Sequence, residues 1–285
     1  MTTLTLEQTT GSVTSADGTI IGYRQLGSGP GLILVHGGMQ ASQNFVKLAE
    51  ALADTFTVYV VDRRGRGMSG TYGDHYTLSK DVEDIQALVT KTGAHAIFGL
   101  SSGAVITLQS ALMTPALQKV ALYEPPLPAD EKDAPDKWVP QFERDIARGD
   151  VAAAMVSVLK GTDDSPMRLI PRFVLVPMLK MGIDGDVEET KAGDVPIKTL
   201  IPTMHYDAQI IKELRGKLDR YKDVQADVLL LGGNKSRSFL KTALDRLSQI
   251  LPHAKRVEFA GVGHLAADNG GKPEMVAAEL KRFFC

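Results

Sequence analysis

Short apolar runs rich in β-branched residues recur along the chain at Thr19 to Tyr23, Leu32 to Val35, Thr55 to Val61, Ala94 to Phe98, Val120 to Tyr123, Val228 to Leu231 and Arg256 to Phe259. Between most of them apolar residues return every three or four positions, which predicts helices at Phe45 to Ala53, Leu78 to Thr90, Ser102 to Met113, Phe239 to Leu251 and Pro273 to Phe284. Strands alternating with helices predict a mostly parallel sheet with helices on both faces. The alternation stops between Pro125 and about Lys222. There, helical periodicity recurs at Asp136 to Arg148, Val151 to Lys160, Met167 to Met181 and Ile197 to Leu218, punctuated by prolines and glycines, with no strand-like run. The pattern predicts an α/β core of residues 1–124 and 223–285 and an all-helical cap, 125–222, lying over the active-site edge of the core. There are no internal repeats or low-complexity segments.

Length and composition fit that reading: 285 residues, 44% of them hydrophobic, are ample for one large core with an insertion. A net charge of -2, without blocks of one sign, gives no nucleic-acid footprint, so the expected partner is a small molecule. The only cysteine, Cys285, cannot form an intrachain disulfide. The N-terminus lacks the basic region and apolar core of a signal peptide, and Leu169 to Met181 is too short to span a bilayer, so the expectation is a soluble, cytoplasmic protein without a membrane partner. Oligomeric state is not encoded in any of these patterns.

The chemistry concentrates at Gly99-Leu100-Ser101-Ser102-Gly103, which ends the run His95 to Phe98 and begins a helix. A GxSxG core at a strand-to-helix turn is a nucleophile elbow, holding its serine on a strained turn with the hydroxyl exposed. Ser101 is therefore the candidate nucleophile. Serine is a poor nucleophile at its free pKa, so it needs a base, a group that orients the base, and donors for the oxyanion. His264, in Gly261-Val262-Gly263-His264 after the last strand, is the candidate base. In His36-Gly37-Gly38-Met39 the glycines let backbone N–H groups approach a substrate oxygen, which assigns Gly38 and Ser102 to the oxyanion hole, with Met39 a further candidate donor. His205 and the apolar residues Trp138, Phe142, Met155, Leu159, Phe173, Met178 and Met181 of the cap could line a pocket, although packing explains their spacing as well. Neither metal-ligand spacing nor a nucleotide motif is present, so no cofactor is implied.

The HGG segment at 36 to 38, Asp62-Arg63-Arg64-Gly65-Arg66-Gly67-Met68-Ser69, the GLSSG elbow and the late GVGH occur in the order found in the α/β-hydrolase superfamily, which the chain resembles over nearly its whole length. The resemblance implies a mostly parallel sheet of about eight strands flanked by helices, with a helical cap inserted after strand six. It also implies that Asp62 to Ser69 is a structural loop beside the site, so Arg63, Arg64 and Arg66 are not expected to be catalytic. The chain departs from the family in its acid. Most relatives carry an aspartate after the seventh strand, where this chain reads Leu231-Gly232-Gly233-Asn234-Lys235-Ser236-Arg237. Glu124, at the end of the sixth strand, is the candidate replacement, an arrangement similar to that of certain haloalkane dehalogenases. Asn234 is its rival, since an amide can orient an imidazole but cannot neutralise an imidazolium.

The expected activity is that of a cofactor-independent serine hydrolase cleaving an ester, thioester or lactone of a small, largely apolar substrate through an acyl-Ser101 intermediate. Serine at the elbow argues against haloalkane dehalogenase and epoxide hydrolase chemistry, since relatives with those activities carry aspartate there. Two alternatives stay open: a lyase or C–C bond hydrolase using the same Ser/His pocket, and a weakly catalytic ligand-binding relative lacking the usual acid.

Overall fold

The computed structural model describes residues 8–128, 136–162 and 166–285. The first part of the N-terminal segment, and stretches of the expected cap at 129–135 and 163–165, lie outside the described residues. The strands are β1 (Thr9–Thr14), β2 (Ile20–Leu26), β3 (Gly31–Val35), β4 (Thr57–Val61), β5 (Ala96–Leu100), β6 (Lys119–Tyr123), β7 (Asp227–Gly233) and β8 (Lys255–Phe259). They form one eight-stranded sheet in the order β1-β2-β4-β3-β5-β6-β7-β8. β2 runs antiparallel to β1 and β4, and all other neighbours are parallel.

The sheet is covered on both faces, and strand alternation decides which residue goes where. Leu32 and Leu34 face one way, with Val58, Val60, Phe98 and Leu229, and are covered by α1 (Val46–Leu52) and by Val276, Leu280 and Phe284 of the C-terminal helix. Ile33 and Val35 face the other way, with Val61, Ile97, Val120 and Leu230. That side is covered by α2 (Leu78–Thr92), α3 (Ser102–Met113) and the helix that follows β7. Each fully buried side chain of this size contributes roughly 1.5–3 kcal/mol. β1 is absent from the apolar runs because it is an edge strand: only Val13 is buried, and Thr9, Thr10, Ser12 and Thr14 need no apolar partner.

Between β6 and β7 the described elements are helices, the α-helices being α4 (Val139–Ala147), α5 (Val151–Thr162), α6 (Arg172–Glu189), α7 (Ile197–Leu200) and α8 (Met204–Glu213). After β7 come α9 (Ser238–Ile250) and α10 (Pro273–Phe284). Prolines move the boundaries from those the periodicity predicts. Pro171 starts α6, which continues past Met181 to Glu189, and Pro202 splits the stretch from Ile197 to Leu218 into two helices joined by a 3-10 turn. Trp138, Phe142, Val158, Ile183, Ile201 and Ala208 form a small core of their own. Phe173 and Met181, at 79% and 74% exposed, and the half-exposed Met178 face solvent, and none of the three lines the cavity that Ser101 lines. Polar clasps tie the segment to the sheet: Arg24 pairs with Asp194 at 2.7 Å, and the Gln43 amide exchanges two hydrogen bonds with the backbone of Val195. Among the described residues no helix is long and apolar enough to cross a membrane.

Candidate active site

β5 delivers Ser101 into a backbone conformation of φ 56° and ψ −125°, and α3 starts at the next residue. The flanking glycines are required by close approach. A Cβ on Gly99 would lie 2.4 Å from the Gly103 carbonyl oxygen, and one on Gly103 would lie 2.4 Å from the carbonyl oxygens of both Val35 and His36. The elbow is thus wedged against the end of β3. As the first residue of α3, Ser102 has an N–H with no intrahelical acceptor.

At the end of β6, Glu124 is fully buried and also has a positive φ, 46°. Its Oε1 accepts the Gly233 N–H at 2.6 Å, and its Oε2 lies 2.7 Å from Nδ1 of His264. The acid-free end of β7 therefore supplies a backbone donor that orients the carboxylate that follows β6. Gly232 makes room for it, since a Cβ there would lie 3.1 Å from Glu124 Oε1. Asn234 serves a different group: its Oδ1 accepts the Gly261 N–H at 2.9 Å and fixes the loop leading to His264. The Tyr123 hydroxyl donates to the Gly263 carbonyl at 2.9 Å and steadies the same loop.

The loop after β3 is held from several sides. The Gly37 N–H donates to the Gln40 side chain at 2.8 Å, so it is not free for a ligand. His36 is fully buried, and burial, followed by the charges of Arg66 and Arg63, pushes its pKa well below the usual histidine range. Its neutral ring accepts the Arg63 N–H at Nε2 (3.2 Å) and donates from Nδ1 to the Gly37 carbonyl (3.0 Å). That carbonyl also accepts Arg66 Nη1 at 2.7 Å.

Ser101, His264, Gly38 and Ser102 all line one cavity of about 680 Å³. Leu100, Phe239, Leu240 and Val262 contribute its core wall, and Trp138, Met155, Val158, Leu159, Met204 and Ile211 come from the helices between β6 and β7. Of the apolar residues expected there, Phe142 instead packs behind Trp138, at a ring distance of 5.4 Å. His205 is half exposed and pairs with Glu143 at 2.6 Å, outside the lining. Among the described residues no group of three histidine, cysteine or acidic side chains is arranged to hold a metal ion.

Sequence reasoning missed Asp207. This carboxylate of α8 lines the cavity, is 1% exposed, and pairs with Arg63 at 2.7 Å and Arg66 at 2.6 Å. Burial alone would raise its pKa, but Arg66 and Arg63 outweigh burial and hold it well below the usual carboxylate range. No local motif marks it, because its partners are some 140 residues away in sequence.

The profile of the alpha/beta hydrolase family matches residues 32–279. The chain is 26% identical to 2-(acetamidomethylene)succinate hydrolase of Mesorhizobium japonicum, over 92% of this chain and 91% of that protein. It is 32% identical to N-formylmaleamate deformylase of Pseudomonas putida over 129 residues, 44% of this chain and 48% of that one. Among solved structures, an alpha/beta hydrolase from Sphaerobacter thermophilus superposes with a TM-score of 0.78 at 26% identity, covering 96% of this chain and 100% of that one. With the match spanning most of the sequence and the eight-stranded sheet in place, the chain belongs to the alpha/beta hydrolase family and is a hydrolase.

Proposed function

We propose that the protein is a serine hydrolase that cleaves an acyl bond of a small, largely apolar molecule through an acyl-Ser101 intermediate. The observation that carries this reading is the 2.7 Å contact between Glu124 and His264 Nδ1 beside a cavity that also exposes Ser101. With Nδ1 directed at the carboxylate, Nε2 is left to take the Ser101 proton as the hydroxyl attacks the carbonyl carbon. Glu124 orients the ring and stabilises the imidazolium, which then returns the proton to the leaving group. The N–H groups of Gly38 and Ser102 receive the oxyanion, and water, deprotonated by His264, releases the acid and frees Ser101. No resident cofactor takes part in these steps. The helices between β6 and β7 act as a cap, since they supply much of the apolar wall. Two relatives are named for an acetamido and an N-formyl compound, which supports counting acyl–nitrogen bonds with esters, thioesters and lactones among the scissile bonds.

A fluorophosphonate probe tests the reading. It is expected to label Ser101 stoichiometrically, activated esters are expected to release a burst of alcohol equal to the enzyme concentration, and Ser101→Ala is expected to abolish both. Absence of label and burst, or full turnover by Ser101→Ala, contradicts it.

A further inference from the structure

Each segment that carries an assigned oxyanion donor accepts a hydrogen bond from an arginine, one at the Gly37 carbonyl and one at the Ser102 hydroxyl, and both arginines pair with one carboxylate of α8. Arg66 Nη1 donates to the Gly37 carbonyl at 2.7 Å. That oxygen belongs to the same planar trans peptide as the Gly38 N–H, so fixing the oxygen fixes the opposite direction of the N–H. Arg63 Nη1 donates to the hydroxyl of Ser102, the residue that carries the second assigned donor, at 3.0 Å. Arg63 and Arg66 converge on the two oxygens of Asp207 at 2.7 and 2.6 Å. α8 also lies directly on the loop, since a Cβ on Gly38 would come within 2.7 Å of Met204 Sδ and 3.3 Å of Asp207 Oδ2. All three charged groups are at most 3% exposed, where low dielectric strengthens their hold and leaves little freedom to rearrange.

We infer that Asp207 is a positioning residue: through Arg66 and Arg63 it holds both halves of the oxyanion hole in place, and it makes the assembled hole depend on α8 being docked. The inference rests on the acyl-serine reading and adds to it a link between the helical segment and transition-state stabilisation. Donors aimed in advance at the developing charge contribute to the transition state rather than to substrate binding, so loss of aim shows in kcat.

The test measures Asp207→Asn and Arg66→Lys in the full chain, normalised to active sites titrated with a fluorophosphonate, using a p-nitrophenyl ester and an alkyl boronic acid that forms a tetrahedral adduct with Ser101. Arg66→Lys keeps the positive charge but loses the fork that spans Gly37 and Asp207, and it decides the matter if Asp207→Asn does not fold. The expected result is a tenfold to hundredfold fall in kcat per site and a parallel loss of boronate affinity, with KM within about threefold of wild type. A kcat per site and boronate affinity within about twofold of wild type, with only thermal stability reduced, overturns the inference. Wild-type protein that binds no boronate and shows no ester turnover contradicts the acyl-serine reading itself and removes the inference with it, an outcome distinct from unchanged variants.

Discussion

At the scale of single residues, the site is where the backbone departs from its preferred conformations. Of the four non-glycine residues with positive φ among the described residues, Met39, Ser101 and Glu124 lie at the site and His75 lies elsewhere. Such conformations cost on the order of 1–3 kcal/mol each and persist where surrounding structure enforces them. Ser101→Gly and Ser101→Ala both remove the hydroxyl, but only glycine accepts φ 56° without strain. Ser101→Gly should therefore melt higher than Ser101→Ala, the difference corresponding to about 1 kcal/mol; equal or reversed Tm values would show no stored strain. Gly103→Ala should do the opposite. Its Cβ would meet two backbone carbonyls at 2.4 Å, a contact no rotamer can relieve, and a loss of about 3 kcal/mol or more is expected in denaturant unfolding. Ser101, His264 and Gly38 were legible because local sequence carries their geometry: a strained turn and close backbone approach need glycine at fixed spacing. Asp207 was not, because a buried ion pair between distant segments leaves no local pattern.

At the scale of elements, α8 carries several of the contacts that fasten the helical segment to the core. Asp207 meets Arg63 and Arg66, the Gln209 amide donates to the Tyr76 carbonyl, and Glu213 Oε2 accepts the Leu78 N–H at 3.1 Å. The last contact places a negative charge at the N-terminus of α2, so Glu213→Ala should cost about 1 kcal/mol. Asp207→Asn removes the carboxylate paired with two buried guanidinium groups and should cost about 3–5 kcal/mol at neutral pH. That cost depends on pH with a definite sign. The folded pKa of Asp207 is depressed below its ordinary 3.8, so its stabilisation is complete above that value and is lost as pH falls below it. Urea unfolding of wild type and Asp207→Asn should therefore differ most near pH 7 and converge as pH falls below about 4; a gap constant down to pH 3 would contradict the assignment. Core helices and inner strands were readable from periodicity because each buries a continuous face. β1 and the ends of α6, α7 and α8 were not, since a polar edge strand lacks that face and prolines reset the helices.

At the scale of the whole molecule, the parallel sheet delivers the chemistry to one edge. β5 leads into Ser101, β6 leads into Glu124, and the loop after β8 carries His264, so neighbouring strand ends bring Glu124 against the imidazole and place Ser101 on the same cavity as His264. A carboxylate following β6 reaches His264 because β6 and β7 are neighbours, and Gly232, near the end of β7, gives up side-chain volume to admit it. The order of motifs made the fold readable, whereas which of Glu124 and Asn234 contacts His264 required the register of two strands that periodicity does not specify. The central claim, that Glu124 is the acid behind His264, is tested most directly by kcat per titrated Ser101 for Glu124→Gln and Asn234→Ala on an activated ester. In the serine-protease template the matching amide substitution costs about 10⁴ in kcat. The account predicts a loss of several orders of magnitude for Glu124→Gln with Asn234→Ala within about tenfold of wild type, and the reverse ranking would contradict it.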